Sequence, residues 1–191
     1  MWCDYNQLTT LNASGLAELQ HLHCNNNQLT TLNVSGLTKL EFLNCYNNQL
    51  TTLNAGGLTE LGDLQCNDNQ LTALSLSGST KLWRLLCYNN KLATLDLSGL
   101  TALSTLDCYM NNLTALDLNG LTELTRLNCF ANELSALDIT QQTKLTTWYC
   151  GRQNGGKTLT LTLTSAQKST WETDTSMSDD YKNESVTLNV K

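Results

Sequence analysis

The sequence predicts a mainly-β solenoid closed at its C-terminal end by a small α+β cap. Three observations predict it. The 191 residues hold 40 leucines and no proline, yet no apolar run approaches the ~18 residues of a membrane span. The eight cysteines Cys3, Cys24, Cys45, Cys66, Cys87, Cys108, Cys129 and Cys150 are separated by equal gaps of 21 residues, and a fixed period in that range marks a stacked-repeat architecture. Other columns keep the same register. Asparagine recurs at Asn6, Asn27, Asn48, Asn69, Asn90, Asn111 and Asn132, and glycine at Gly15, Gly36, Gly57, Gly78, Gly99 and Gly120 before failing at Gln141.

Within a repeat, Leu22 and Cys24 are two apart, so on a strand both point to one face while His21, His23 and Asn25 point to the other. One repeat cannot bury its leucines alone; stacked neighbours supply the cover. Each asparagine turns the chain off the strand, and its amide can donate to and accept from turn backbone that lacks a strand partner. The glycines mark turns that need a positive φ or a close approach. The second half of the repeat, as in Leu95–Asp96–Leu97, alternates like a strand. Across the repeat boundary the pattern reads L-x-x-L-x-C-x-x-N-x-L over residues 1–150.

That pattern resembles the leucine-rich repeat, with cysteine in the third inward position. The 21-residue length is similar to bacterial surface repeats of the internalin-like kind. The resemblance implies a right-handed, curved parallel sheet with short β or extended segments on the convex side. Bacterial effector ligases with related repeats carry prolines in each repeat, which this chain does not.

The cysteines read first as small, free core residues. Four disulfides are the rival reading, which the shared direction of in-register side chains disfavours. One cysteine per turn does not give zinc spacing. Residues 1–150 are read as the solenoid, about seven repeats long, and 151–191 as a strand–helix–strand cap. In the cap, Gln153 breaks the asparagine column, Gly151, Gly155 and Gly156 form a flexible loop, Thr158 to Thr164 alternates as a strand, Ser165 caps a helix running through Trp171, and Ser185 to Val190 alternates again. Trp148 replaces a column leucine and fills the gap beneath the cap. At the other end the chain opens inside a repeat, with Met1 in a leucine column and Trp2 outward. With no leader or polar capping segment ahead of them in the sequence, we expect either a fragment of a longer protein or a raw first rung that packs against another chain, by end-to-end self-association through residues 1–20.

Function should lie on the outward strand positions, because they vary from repeat to repeat while the inward columns do not. The sharpest feature is aromatic: Tyr88, Tyr109 and Phe130 on successive rungs, Tyr46 two rungs earlier and Tyr149 close by. Exposed aromatic residues suit recognition; cross-strand stacking that stabilises the sheet is the alternative. Arg84, Arg126 and Asp107, with Asp63, add mixed charge that fits a protein interface. The candidate binding residues are therefore Tyr46, Arg84, Tyr88, Asp107, Tyr109, Arg126, Phe130 and Tyr149. A net charge of −6 and a pI near 4.7 exclude a duplex nucleic-acid binder and an anionic-membrane binder.

His21 and His23 read as neutral surface histidines, with metal chelation as the minor alternative. The Asp96, Asp117 and Asp138 column reads as solvated or bonded to turn amides, with calcium as the minor alternative. No nucleophile, base and orienting residue come together by spacing, so no catalytic residue, cofactor or metal is expected. The resemblance implies a non-catalytic binding or adhesion module at a bacterial surface or outside the cell, with a host or matrix protein as partner. A carbohydrate module using the aromatic strip and a structural spacer are the alternatives.

Overall fold

The computed structural model describes residues 1–156, 158–173 and 186–191. Seven three-residue strands form one parallel sheet: β1 (His21–His23), β2 (Phe42–Asn44), β4 (Asp63–Gln65), β6 (Arg84–Leu86), β7 (Thr105–Asp107), β8 (Arg126–Asn128) and β10 (Thr147–Tyr149). Each strand pairs with its equivalent one repeat later, as in Leu64 with Leu85 and Leu85 with Leu106. An isolated bridge between Trp2 and His23 adds the first rung. On the opposite side, β3 (Thr52–Asn54) pairs with β5 (Ala73–Ser75), and β9 (Ala136–Asp138) pairs with β11 (Leu159–Leu163), which pairs with β12 (Val186–Val190). This is the mainly-β parallel solenoid that the periodicity predicts, with short extended segments on the outer side.

The interior is dry. Leu22, Leu43, Leu64, Leu85, Leu106 and Leu127 are buried beneath the sheet, beside the thiols of Cys24 through Cys150. All eight cysteines are free, and Cys3 alone is partly exposed. Burial pushes the Cys24, Cys87 and Cys129 thiols up to about 12 and those of Cys45, Cys66, Cys108 and Cys150 well above their ordinary value. These are inert, protonated core groups.

The asparagine column is a hydrogen-bond ladder that ties each turn to both neighbours. Asn111 Nδ2 donates to Cys108 O in its own turn and to Cys87 O one rung back, and Asn111 Oδ1 accepts from Leu92 N–H. The carbonyls of Cys24, Cys45, Cys66, Cys87 and Cys108 are each thus shared by two successive asparagines, and a buried leucine N–H that no strand can reach is satisfied. The ladder continues past the point where the sequence breaks it. Gln153 Nε2 donates to Cys150 O at 2.7 Å and its Oε1 accepts from Leu134 N–H at 2.9 Å, so one additional methylene still reaches the same partners.

Two columns hold left-handed backbone. The six repeat glycines have φ from +76° to +83°. A second column, which residue type does not reveal, lies two positions after each cysteine: Tyr5, Asn26, Asn47, Asp68, Asn89, Met110, Ala131 and Arg152, with φ from 46° to 55°. Asparagine and aspartate tolerate that conformation; Met110 and Ala131 hold it at a cost.

At the C-terminal end, α1 (Ser165–Thr173) lies against the last rung. Gln167 Nε2 donates to Ile139 O and Gln142 O, while the cap is Thr164 and not Ser165: Thr164 and Gln167 cap each other's backbone N–H groups, a reciprocal capping box, and Ser165 is the first residue of the helix. Trp148, 2% exposed, stacks on Trp171 with ring centroids 5.9 Å apart. Gly151 is buried and residues 154–156 form a tight turn. The part of the second cap strand at Ser185 lies outside the described residues.

Candidate functional site

The outward positions of the seven-stranded sheet and the residues that leave it form one continuous face. Its register is fixed by backbone bonds that extend beyond the strands: Cys66 N–H to Leu86 O, Asp68 N–H to Tyr88 O, Cys87 N–H to Asp107 O and Asn89 N–H to Tyr109 O. Side chains at equivalent positions are therefore held about 4.8 Å apart.

That spacing brings flat rings into contact. Tyr88 and Tyr109 stack with centroids 4.4 Å apart and planes 7° from parallel. Burial is the main reason that both hydroxyls titrate high, with Tyr109 reaching about 12; Asp68 next raises Tyr88, and Tyr88 and then Asp107 raise Tyr109. The Arg126 guanidinium lies 5.6 Å from the Tyr149 ring centroid, and the Arg152 guanidinium 5.9 Å from that of Phe130. Both are within cation–π range. Tyr46, Tyr88, Tyr109, Phe130 and Tyr149 are all half-buried, so their rims reach solvent while much of each ring rests on the sheet.

The mixed charge is internally paired. Arg84 Nη1 meets Asp63 Oδ2 at 3.1 Å, and Arg126 Nε meets Asp107 Oδ1 at 3.2 Å. Each arginine belongs to a rung next to its aspartate. Asp63 is 6% exposed and Leu86 9%, so these two outward positions are more enclosed than the alternation implies, Asp63 beneath the Arg84 side chain that pairs with it. The eight candidate residues thus fall into a connected group around Tyr88, Asp107, Tyr109, Arg126 and Tyr149, with Arg84 and Tyr46 toward the N-terminal half and Phe130 beside Arg152.

A second aromatic group was not evident as a cluster in the sequence. Trp2 stacks on His23 at 3.9 Å and 2°, and His21 stacks on Phe42 at 4.8 Å and 8°. Each pair lies one repeat apart in a single column, and His21 and His23, 6.5 Å apart on the same strand, link the two columns. Burial lowers the His23 pKa, against an opposing pull from Asp4. Among the described residues no group of three or more His, Cys, Asp or Glu side chains is arranged to hold a metal ion. Asp96, Asp117 and Asp138 each accept from the backbone N–H two residues on, as turn-forming aspartates do.

A rung-by-rung parallel sheet, an internal amide ladder and a variable outward face define a leucine-rich-repeat solenoid. A sequence model of leucine rich repeats, two copies, matches residues 17–58. Among solved structures, the chain is similar to the functional domain of InlJ from Listeria monocytogenes, described as including a cysteine ladder. The TM-score is 0.63 with 34% identity, over 86% of this chain and 43% of that one. A leucine-rich-repeat protein of Leptospira interrogans gives a TM-score of 0.67 with 25% identity, over 78% of this chain and 43% of that one. YopM from Yersinia enterocolitica shares the fold, with a TM-score of 0.70 and 22% identity over 83% of this chain and 39% of that one. The chain therefore spans less than half the length of each of these solved chains. No curated protein matches it. Leucine-rich-repeat proteins are typically non-catalytic protein-interaction scaffolds. Among the described residues no helix is long and apolar enough to cross a membrane.

Proposed function

We propose that this chain is a non-catalytic recognition module that binds a protein partner through the sheet face, using Tyr46, Arg84, Tyr88, Asp107, Tyr109, Arg126, Phe130 and Tyr149. It would act at a bacterial surface or outside the cell. The observation that carries the reading is the stacked Tyr88–Tyr109 pair beside the Arg126–Asp107 ion pair and Tyr149. Aromatic and arginine anchors with satisfied charges are the composition of interface hot spots. The stacking geometry also favours a protein over a glycan. A sugar packs on an exposed ring face, whereas the facing surfaces of Tyr88 and Tyr109 cover each other.

The test is a parallel screen of purified extracellular host and matrix proteins and of a glycan array, with a Tyr88→Ala, Tyr109→Ala and Phe130→Ala triple variant as the control. We expect a protein ligand, lost at least tenfold in the triple variant, whose thermal midpoint stays within a few degrees of the parent. Binding confined to glycans, or a triple variant that no longer folds, would sink the reading and return the strip to a stacking role.

A further inference from the structure

Two positions on the rim of the sheet face are apolar where their column is otherwise polar, and both hold unfavourable backbone. In the column two residues after each cysteine, Asn26, Asn47, Asp68 and Asn89 have φ between 52° and 55°, a conformation that asparagine and aspartate tolerate. Their side chains also bond in pairs along the face. Asn47 Nδ2 donates to Asn26 Oδ1 and Asn89 Nδ2 to Asp68 Oδ1, both at 2.6 Å. The next pair is Met110 and Ala131, with φ of 53° and 51°. The backbone is unchanged, but neither side chain favours it and neither can make the bond. At the two ends of the column the departures from asparagine have partners inside the molecule: Tyr5 bonds to Tyr46, and Arg152 lies over the Phe130 ring. Met110 is 51% exposed, so packing within the coil does not account for it.

The departure falls beside the aromatic strip. Tyr109 and Phe130, both half-buried, directly precede Met110 and Ala131 in the chain. Met110 N–H donates to Phe130 O at 3.0 Å, which fixes the two rungs in register. On the same two rungs Asp107 and Arg126 neutralise each other. Strained backbone that persists beside a binding surface points to use rather than to folding, and an exposed methionine adapts its shape to an apolar neighbour. A glycan or a charged ligand would be better served by the amide pair of the other rungs. Its replacement supplies apolar contact area.

We propose that Met110 and Ala131, with the rims of Tyr109 and Phe130, form an apolar contact patch that receives an aliphatic side chain of the leucine type from the protein partner. This rests on the protein-recognition reading above and adds to it one anchor and its chemistry. At these two positions stability is lower than the repeat allows, as expected where binding sets the residue.

The experiment titrates the chain, carrying 15N amides and 13C-methyl methionine, with N-acetyl-leucine methylamide and with its polar counterpart of similar shape, N-acetyl-asparagine methylamide. Saturable shifts of the Met110 methyl and of amides within residues 109–111 and 130–131 are expected. The apolar area of one leucine side chain supports a Kd of about 10–100 mM, and the asparagine compound should bind at least about threefold more weakly. A variant with Met110→Asn and Ala131→Asn restores the residue type of the other rungs. It should bind the leucine compound at least about threefold more weakly while its thermal midpoint rises by about 2–4 °C. Side chains that served the fold instead would lower that midpoint when replaced. Equal binding of the two compounds, no saturable shift at these residues, or a lower midpoint in the variant overturns the proposal. So does self-association of the parent chain, measured by light scattering, that the variant abolishes, since it would assign the patch to a second copy. If a protein ligand found in the screen is lost on Tyr109→Ala and binds the Met110→Asn, Ala131→Asn variant undiminished, the patch falls and the wider recognition reading stands.

Discussion

Asn111 gives the sharpest test of how the solenoid is held together. Its side chain is 2% exposed and makes four hydrogen bonds: Nδ2 to Cys87 O at 3.1 Å, to Cys108 O at 3.0 Å and to Tyr109 O at 3.4 Å, and Oδ1 from Leu92 N–H at 3.0 Å. Asn111→Ala removes all four but strands the partners unequally. Cys87 O keeps Asn90 Nδ2, Cys108 O keeps Asn132 Nδ2, and Tyr109 O keeps Asn89 N–H. Leu92 N–H, fully buried, keeps nothing. One orphaned buried donor costs about 1–3 kcal/mol and the lost amide bonds about 1 kcal/mol more, with a further ~1 kcal/mol for the small void. Equilibrium urea unfolding should show a loss of about 4 kcal/mol, with an unchanged denaturant slope. Asn111→Gln should recover much of it, because Gln153 makes the same set of bonds at the last rung. Asn6→Ala is the control: its exposed amide bonds only Cys3 O and Asp4 O, and its loss should stay below about 1 kcal/mol. A loss under about 1 kcal/mol at Asn111 would mean that the ladder is decoration on a leucine core.

Other perturbations test separate parts of the structure. Because burial raises the thiol pKa values in the folded chain, the folded state stays protonated where the unfolded chain ionises. Stability should hold below about pH 8.5, the ordinary thiol value, and fall as the pH climbs toward 12, by up to about 1.4 kcal/mol per pH unit for each buried thiol; pH-dependent urea midpoints measure this. Brief iodoacetamide treatment of native protein followed by mass spectrometry should label Cys3 and leave the seven buried cysteines unmodified until denaturant is added. Met110→Asn replaces a half-exposed residue with φ of 53° by one that tolerates left-handed backbone, and should raise stability by about 0.5–1 kcal/mol; a loss would show that Met110 packs to advantage. Arg84→Ala leaves the Asp63 carboxylate unpaired at 8% side-chain exposure and should cost about 3 kcal/mol, whereas Lys81→Ala, on an exposed pair, should change nothing measurable.

What could be read from the sequence is what the repeat forces to be uniform. Inward positions face the same neighbours on every rung, so Leu22, Cys24 and Asn27 write their roles into columns that recur six, eight and seven times, and the stacked sheet follows from the period. The glycine turns are equally legible, since few other residues adopt a φ near +80°. The hidden parts are those where geometry is uniform and residue type is not. The second left-handed column carries tyrosine, methionine, alanine and arginine beside its asparagines, so backbone strain is distributed without a signature. Gln153 looks like the end of a motif because a column is read by identity, whereas a hydrogen bond asks only for reach. Ring pairs such as His21 with Phe42 and Trp2 with His23 mix residue types within their columns, and they join into one group through His21 and His23, which only the shared strand brings together. The tyrosine strip was visible as a column; that its members are half-buried, and that its arginines are already paired, depends on neighbours one rung away.

The same rung spacing that builds the core also sets what the face can do. Ladder, thiols and leucines satisfy one another inside the coil, so an outward position can change without disturbing them. The outward positions are then a row of sockets at a fixed pitch of about 4.8 Å, and chemistry is selected by which sockets are filled. Two adjacent rings close on each other, as Tyr88 and Tyr109 do, and offer only their rims. An arginine next to an aspartate cancels, as Arg126 and Asp107 do, while an aspartate flanked by amides, as Asp68 is, accepts their hydrogen bonds instead. Specificity in this fold thus depends on the order of rungs more than on their composition. Exchanging whole 21-residue repeats should move the ring stack and the ion pair along the face without altering the coil beneath them.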